Sequence, residues 1–247
     1  MRVLISNDDG IESKGIKAIA EKMAQEHKVL VVAPDGNRSA CSHSLTISNT
    51  IKLKKENTHG YEAYSLSGTP ADCIKFANIV FKDFNADIVV SGINKGHNLG
   101  SDILYSGTVS IACEASYFGS ISFAVSAYNL EDGDYNLFAD YTVKIINYLL
   151  PLSKSGDIWN INFPDNHLGI KGVKLTSLGK HIYSDRYIKV TDEDYMLAGE
   201  PLDANENEDC DIVWCNKGYV TVTPILFNKT DYNKLNEVKS ICEELSL

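Results

Sequence analysis

The 247-residue sequence predicts an α/β fold, a doubly wound and mostly parallel sheet with a projecting C-terminal β-hairpin arm. Three observations predict it. Short aliphatic, β-branched runs alternate with segments of helical apolar periodicity through about residue 165, the pattern of a parallel sheet flanked by helices. The polar, glycine-rich stretches follow those runs, at the strand carboxyl ends where open α/β sheets bind ligands. After residue 165 the alternation stops and extended segments follow one another. With 44% hydrophobic residues the chain can bury one sizeable core.

The first strand is Arg2-Val3-Leu4-Ile5-Ser6. A helix over 14–27 follows, its stripe formed by Ile16, Ile19, Ala20 and Met23. The run Lys28-Val29-Leu30-Val31-Val32-Ala33 is a buried strand. Pro near its first turn marks a helix over 70–81. A strand over 87–91, a helix over 108–118, a strand over 122–126, a helix over 136–150 and a strand over 158–163 complete the alternation. Strands over 173–176 and 187–190 then flank an acidic stretch, and a strand over 219–222 precedes a helix over 229–245. That helix carries Leu235, Val238, Cys242 and Leu245 on one face, which should dock on the sheet. The division expected is residues 1–167 as the α/β core carrying the active site, 168–215 as the hairpin arm, and 216–247 as a closing strand and helix packing on the core. An isolated hairpin is marginal in water, so the arm should pack on a second copy of the chain.

The net charge of −10 is local in origin. Nine acids and no Lys or Arg lie between residues 192 and 211, and removing those nine charges leaves −1. The remainder can attract an anionic substrate around a bound cation. No basic stripe with interleaved aromatics is present, so duplex nucleic acid is not an expected partner. No window reaches the roughly 20 apolar residues of a membrane span, and the start lacks a signal-peptide pattern, so a cytoplasmic location is expected. Six scattered cysteines, none in a C-x-x-C pair, read as reduced structural thiols rather than a zinc site.

The chemistry concentrates in three segments. Asp8 and Asp9 end the first strand, followed by Gly10. Adjacent residues of a strand face opposite ways, so the two carboxylates converge only beyond the strand end, where Gly10 lets the backbone turn. Converging carboxylates repel unless a cation lies between them, whereas an Asx cap would need only one acid. The second segment is Pro34-Asp35-Gly36-Asn37-Arg38-Ser39. The third, Ser91-Gly92-Ile93-Asn94-Lys95-Gly96-His97-Asn98-Leu99-Gly100, suits close backbone approach to a ligand and leads into Tyr105-Ser106-Gly107-Thr108. Those last residues open a helix, whose free N–H groups and dipole suit a phosphate, although Ser106 or Thr108 would also serve as an ordinary cap. Lys95 and His97 read as solvated loop residues. The donors are hard oxygens, matched to Mg²⁺ or Mn²⁺.

These residues resemble those of the SurE family, the stationary-phase survival proteins, which are metal-dependent 5′-nucleotidases. The resemblance rests on Ser6-Asn7-Asp8-Asp9-Gly10, Ala33-Pro34 with Arg38-Ser39, Ser67-Gly68-Thr69-Pro70-Ala71-Asp72-Cys73, Ser91-Gly92-Ile93-Asn94, Gly96-His97-Asn98-Leu99-Gly100 and Tyr105-Ser106-Gly107-Thr108-Val109. Looser similarity continues through Leu178-Gly179-Lys180 and Gly218-Tyr219-Val220-Thr221-Val222-Thr223-Pro224. The acidic stretch and Asp209-Cys210-Asp211 depart from the family pattern. The resemblance implies one divalent metal ion per subunit on Asp8, Asp9, Ser39 and Asn94, phosphate held by Asn98, Ser106, Gly107 and Thr108, and a pocket shaped by residues 67–73. It implies catalytic roles for Asp8, Asp9 and Asn98, with Asp8 either orienting or deprotonating the attacking water or acting as the nucleophile. Nucleoside 5′- or 3′-monophosphates become the expected substrates. Family members also act on polyphosphate, which leaves that activity open, and their arms swap between subunits to make homodimers or homotetramers.

Other classes fit less well. A phosphoacceptor signalling domain needs an aspartate ending its third buried strand, whereas Asp87 begins that strand here, and the chain is about twice too long for such a domain. A haloacid-dehalogenase-type phosphatase separates its two acids by one residue. A metal- and nucleotide-binding stress protein without catalysis remains the alternative.

Overall fold

The fold grows from β1 (Arg2–Ser6), whose side chains from Val3 onward are buried on both faces, as a central parallel strand requires. The structure, a computed structural model, describes residues 1–128, 135–202 and 208–243. Ser13 accepts the Ile16 N–H and starts α1 (Lys14–Ala24), which buries the expected Ile16, Ile19, Ala20 and Met23. The chain returns as β2 (Lys28–Pro34), parallel to β1.

Two strands that carry no clear sequence signal come next. β3 (Leu53–Glu56) and β4 (Glu62–Leu66) extend the sheet beyond β2, β4 parallel to it and β3 antiparallel at the edge. Lys54 and Lys55 keep that edge charged, which discourages pairing with another chain. Thr69 and Asp72 form a reciprocal capping box at the start of α2 (Pro70–Val80), with Pro70 in its first turn.

β5 (Ile88–Lys95) lies beside β1 on the other flank and runs four residues beyond the expected end at Ser91. Its pairing with β6 (Ile121–Ala127) shifts register between Ser91 and Asn94, so Asn94 sits on the strand after a bulge rather than in a loop. α3 (Gly107–Tyr117) connects those strands, and α4 (Tyr135–Leu149) leads into β7 (Ile158–Phe163), parallel to β6.

Alternate residues of the strands feed two cores. Val3, Ile5, Val31, Val90 and Phe123 pack with α1 and α4 on one face, while Leu4, Val32, Leu66 and Val89 pack with α2 and α3 on the other. The sheet is therefore doubly wound.

Beyond β7 the chain forms β8 (Val173–Leu175), then β9 (Ile182–Tyr183), β10 (Arg186–Lys189), β11 (Tyr195–Ala198) and β12 (Pro201–Leu202). β10 pairs with β11 and β9 with β12, all antiparallel, so residues 182–202 make one long hairpin, the projecting arm. Two pieces of the range 168–215 join the sheet's surroundings instead. β8 pairs in parallel with β13 (Val220–Ile225), which is itself antiparallel to β7. α5 (Asp211–Asn216) buries Ile212 and Cys215 with Leu99. The nine-stranded order is β3-β4-β2-β1-β5-β6-β7-β13-β8. The final helix, α6 (Tyr232–Glu243), leaves Leu235 49% exposed and Val238 half-buried, so the expected docking stripe is open along its first turns. The Cys242 side chain and Leu245 lie outside the described residues, as do 203–207 of the acidic stretch.

Candidate active site at the switch point of the sheet

From β1 the chain builds outward to β2 and β4 on one side and to β5, β6 and β7 on the other. The switch point is thus the crevice between β1 and β5, where doubly wound sheets bind ligands. Asp8 and Asp9 open directly into it. Gly10 turns the backbone there at φ +98°, and a Cβ on it would come within 2.9 Å of the Gly36 carbonyl carbon, so the loops after β1 and β2 touch. The Arg38 N–H donates to the Asp8 carbonyl at 2.7 Å and fixes that contact.

Asp8 is 4% exposed, and the Thr108 hydroxyl donates to its Oδ1 at 2.6 Å. The amino end of α3 comes so close that a Cβ on Gly107 would lie 2.6 Å from Asp8 Cβ. Asp9 accepts the Lys95 N–H at 3.1 Å. Burial pushes the Asp8 carboxyl up from 3.8 to about 6, with the Asp9 charge adding, against hydrogen bonds from the Thr108 side chain and backbone. Burial likewise raises Asp9, against the Lys95 amide and charge.

A cleft of about 690 Å³ opens in front of Asp8, lined by Ser39, Asn94, Asn98 and Ser106 and also by Asp102 and by Tyr183 and Asp185 of the arm. Asp9, Gly107 and Thr108 stand outside this lining, and Thr108 acts on Asp8. Ser106 caps α3 through Val109 N–H at 3.0 Å while also facing the cleft. Ser39 is exposed, its hydroxyl and its N–H both donating to Asn37 Oδ1 at 2.7 Å. Asn94 donates its amide to the Gly96 carbonyl at 3.0 Å, which leaves its side-chain oxygen as the end available to a cation. None of residues 67–73 lines the cleft; Thr69 donates to the Ser44 carbonyl at 2.7 Å and Asp72 accepts the Thr46 N–H at 3.1 Å, which holds the segment after Ser39.

A hard divalent cation fits this set. Among the described residues no three His, Cys, Asp or Glu side chains converge, so neutral oxygens must complete any shell around the acidic pair. Burial holds both carboxyls above their ordinary range.

Several supporting residues escaped the sequence reading. Asn98 is 7% exposed because two β7 asparagines grip its backbone: Asn162 Oδ1 accepts its N–H at 2.8 Å, and Asn160 and Asn162 donate to its carbonyl at 2.8 and 3.0 Å. Its side-chain amide donates to Ser126 Oγ at 2.7 Å. The signal was present as two asparagines at alternate positions of an otherwise apolar strand, which places both on one face. His97 is not a solvated loop residue. Its ring bonds the Phe163 carbonyl at 2.7 Å and stacks on Tyr128, and burial lowers its pKa.

A family model described as "Survival protein SurE" matches residues 3–185. The chain belongs to the SurE family. It is 41% identical to the 5′-nucleotidase SurE of Clostridium botulinum (strain Eklund 17B / Type B), covering 98% of this chain and 100% of that one. The 5′-nucleotidase SurE of Thermoanaerobacter sp. (strain X514) is also 41% identical, over 97% of this chain and 98% of that one. The crystal structure of the SurE protein from Aquifex aeolicus superposes with a TM-score of 0.83 at 35% identity, covering 97% of this chain and 98% of that one. The similarity to these SurE proteins thus includes the arm and the closing strand.

Proposed function

We propose that the protein is a phosphohydrolase that releases phosphate from nucleoside monophosphates, with one Mg²⁺ or Mn²⁺ per subunit on Asp8, Asp9, Ser39 and Asn94. The observation that carries this reading is the buried Asp8 carboxyl in the cleft, beside Asp9 and flanked by the amino end of α3. SurE relatives named as 5′-nucleotidases across almost the whole chain support it. The cation, when bound, supplies positive charge to the phosphoryl oxygens and acidifies bound water. In this reading Asp8 orients or deprotonates the attacking water, with its carboxylate held by the Thr108 hydroxyl. Ser106 faces the developing charge of a loose phosphoryl-transfer transition state from the amino end of α3, where positioning and electrostatics supply most of the rate. Asn98 is held rigid at the cleft wall by β7 and completes the cradle.

Homodimers or homotetramers formed through the arm, and polyphosphate as a second substrate, belong to the same proposal. A cytoplasmic place of action fits the five described cysteines, all free. Phosphate release from 5′- and 3′-nucleoside monophosphates and polyphosphate, with Mg²⁺, Mn²⁺ or EDTA, tests the reading. Metal-dependent release from the monophosphates is expected. Tight nucleotide binding without release under any metal would leave the non-catalytic binding protein as the function.

A further inference from the structure

Asp8, Ser39, Asn94 and Ser106 share the cleft with a second group of polar side chains, Asp102, Tyr183 and Asp185. Asp102 lies between Asn98 and Ser106 in sequence and faces the cleft, and its Oδ2 receives two donors from the arm: His181 Nδ1 at 2.7 Å and the Tyr183 hydroxyl at 2.7 Å. Oδ1 receives none among the described residues. Partial burial works against its charge, but those two bonds hold Asp102 below the usual carboxylate range, so it is an ionised acceptor.

Its position is fixed by more than these two bonds. Ser101 donates to the His181 carbonyl and accepts the His181 N–H, at 3.1 and 3.0 Å. Asp211, fully buried, accepts the N–H groups of Gly100 and Gly179, both at 2.8 Å. The Asp102 loop and the root of the arm therefore form one rigid unit, the preorganisation a specificity site needs.

An oriented carboxylate with a free oxygen accepts hydroxyl hydrogens. Asp185 shares that wall, so a second phosphate there would meet like charge, and a neutral group bearing hydroxyls fits better. A cleft of about 690 Å³ also has room for much more than a phosphate. We propose that Asp102, clamped by His181 and Tyr183, is a specificity residue that accepts hydrogen bonds from the sugar hydroxyls of the nucleoside. This deepens the nucleotidase reading, on which the identity of the sugar-bearing ligand rests.

Direct binding of adenosine and 2′,3′-dideoxyadenosine, measured by titration calorimetry on the wild-type chain, Asp102→Asn and Tyr183→Phe, tests it without requiring turnover. The wild type should bind adenosine about tenfold more tightly than the dideoxy compound, the yield of one good hydrogen bond to a charged group. Asp102→Asn should collapse that ratio toward one. Tyr183→Phe, a change at a partly exposed position, should lower it about threefold and covers the case in which Asp102→Asn does not fold. Equal wild-type affinity for the two nucleosides, or a ratio left intact by both variants, overturns the assignment. Phosphate release from AMP, followed on the same samples, reports separately on the nucleotidase reading: discrimination between the nucleosides without release would remove that activity and leave the hydroxyl site standing.

Discussion

At Asp8, burial and charge oppose each other most directly. A shift from 3.8 to about 6 in a carboxyl that is 4% exposed corresponds to about 3 kcal/mol. The folded pKa lies above the unfolded value, so the folded state holds its proton longer. The metal-free fold is unpenalised below about pH 4, loses stability as pH rises through about 6, and carries the whole cost above that. A cation on the ionised pair offsets the cost only where the proton has left. Added Mn²⁺ should therefore raise the melting temperature by several degrees at pH 7.5 and by much less at pH 5, at about 2–4 °C per kcal/mol for a chain of this size. Asp8→Asn should raise the metal-free melting temperature at pH 7.5, abolish most of the Mn²⁺ response and lower kcat by about 10²–10⁴-fold. Thermal melts at the two pH values with and without Mn²⁺ check this, and a full metal response in the variant would remove Asp8 from the ligand set.

β7 shows how a whole element can serve one loop. Its asparagines hold both backbone polar groups of Asn98, and all three residues are buried. In Asn162→Leu the Asn98 N–H loses its acceptor without water to replace it, at a cost of about 1–3 kcal/mol. Turnover should fall about tenfold or more, because a displacement of about 1 Å at a reacting site has effects of that order. Unchanged kcat in a folded Asn162→Leu protein would show that the loop holds itself. The two asparagines were readable as one strand face, but their target was not, because Asn98 lies 64 residues away from Asn162. β3 was hidden for a different reason. Edge strands such as Lys54-Lys55-Glu56 carry the charges that protect an edge, and so lose the alternation by which strands are recognised. The extension of β5 depends on close contact: a Cβ on Gly92 would come within 2.3 Å of the Val125 carbonyl oxygen, a constraint set by the neighbouring strand. Asp8, Asp9 and the start of α3 were legible because strand ends and helix starts leave local marks, whereas Asp102, His181 and Asp211 gain their meaning only when the arm folds against the loop.

In the whole molecule the arm leaves paired apolar side chains uncovered. Across the β10–β11 ladder Ile188 pairs with Met196 on one face, and Tyr187 pairs with Leu197 on the other. All four are exposed, from 41% for Ile188 to 72% for Tyr187. A two-stranded hairpin that is apolar on both faces has too little cover for stability in water, and contiguous apolar surface of this kind marks an interaction site. Another copy of the same chain would meet it with the same surface, the self-complementary arrangement of a two-fold dimer. Sedimentation velocity at micromolar concentration should accordingly give a dimer or tetramer. Ile188→Ser combined with Met196→Ser should shift the distribution toward monomer, since each removes about 1.5–3 kcal/mol of apolar burial per copy. Neither residue lines the cleft, to which the arm contributes Tyr183 and Asp185 instead. The double variant should therefore release phosphate as a monomer. A wild-type monomer at high concentration would sink the assembly role of the arm, while a monomeric variant without activity would mean that the partner's arm is needed to complete the cleft.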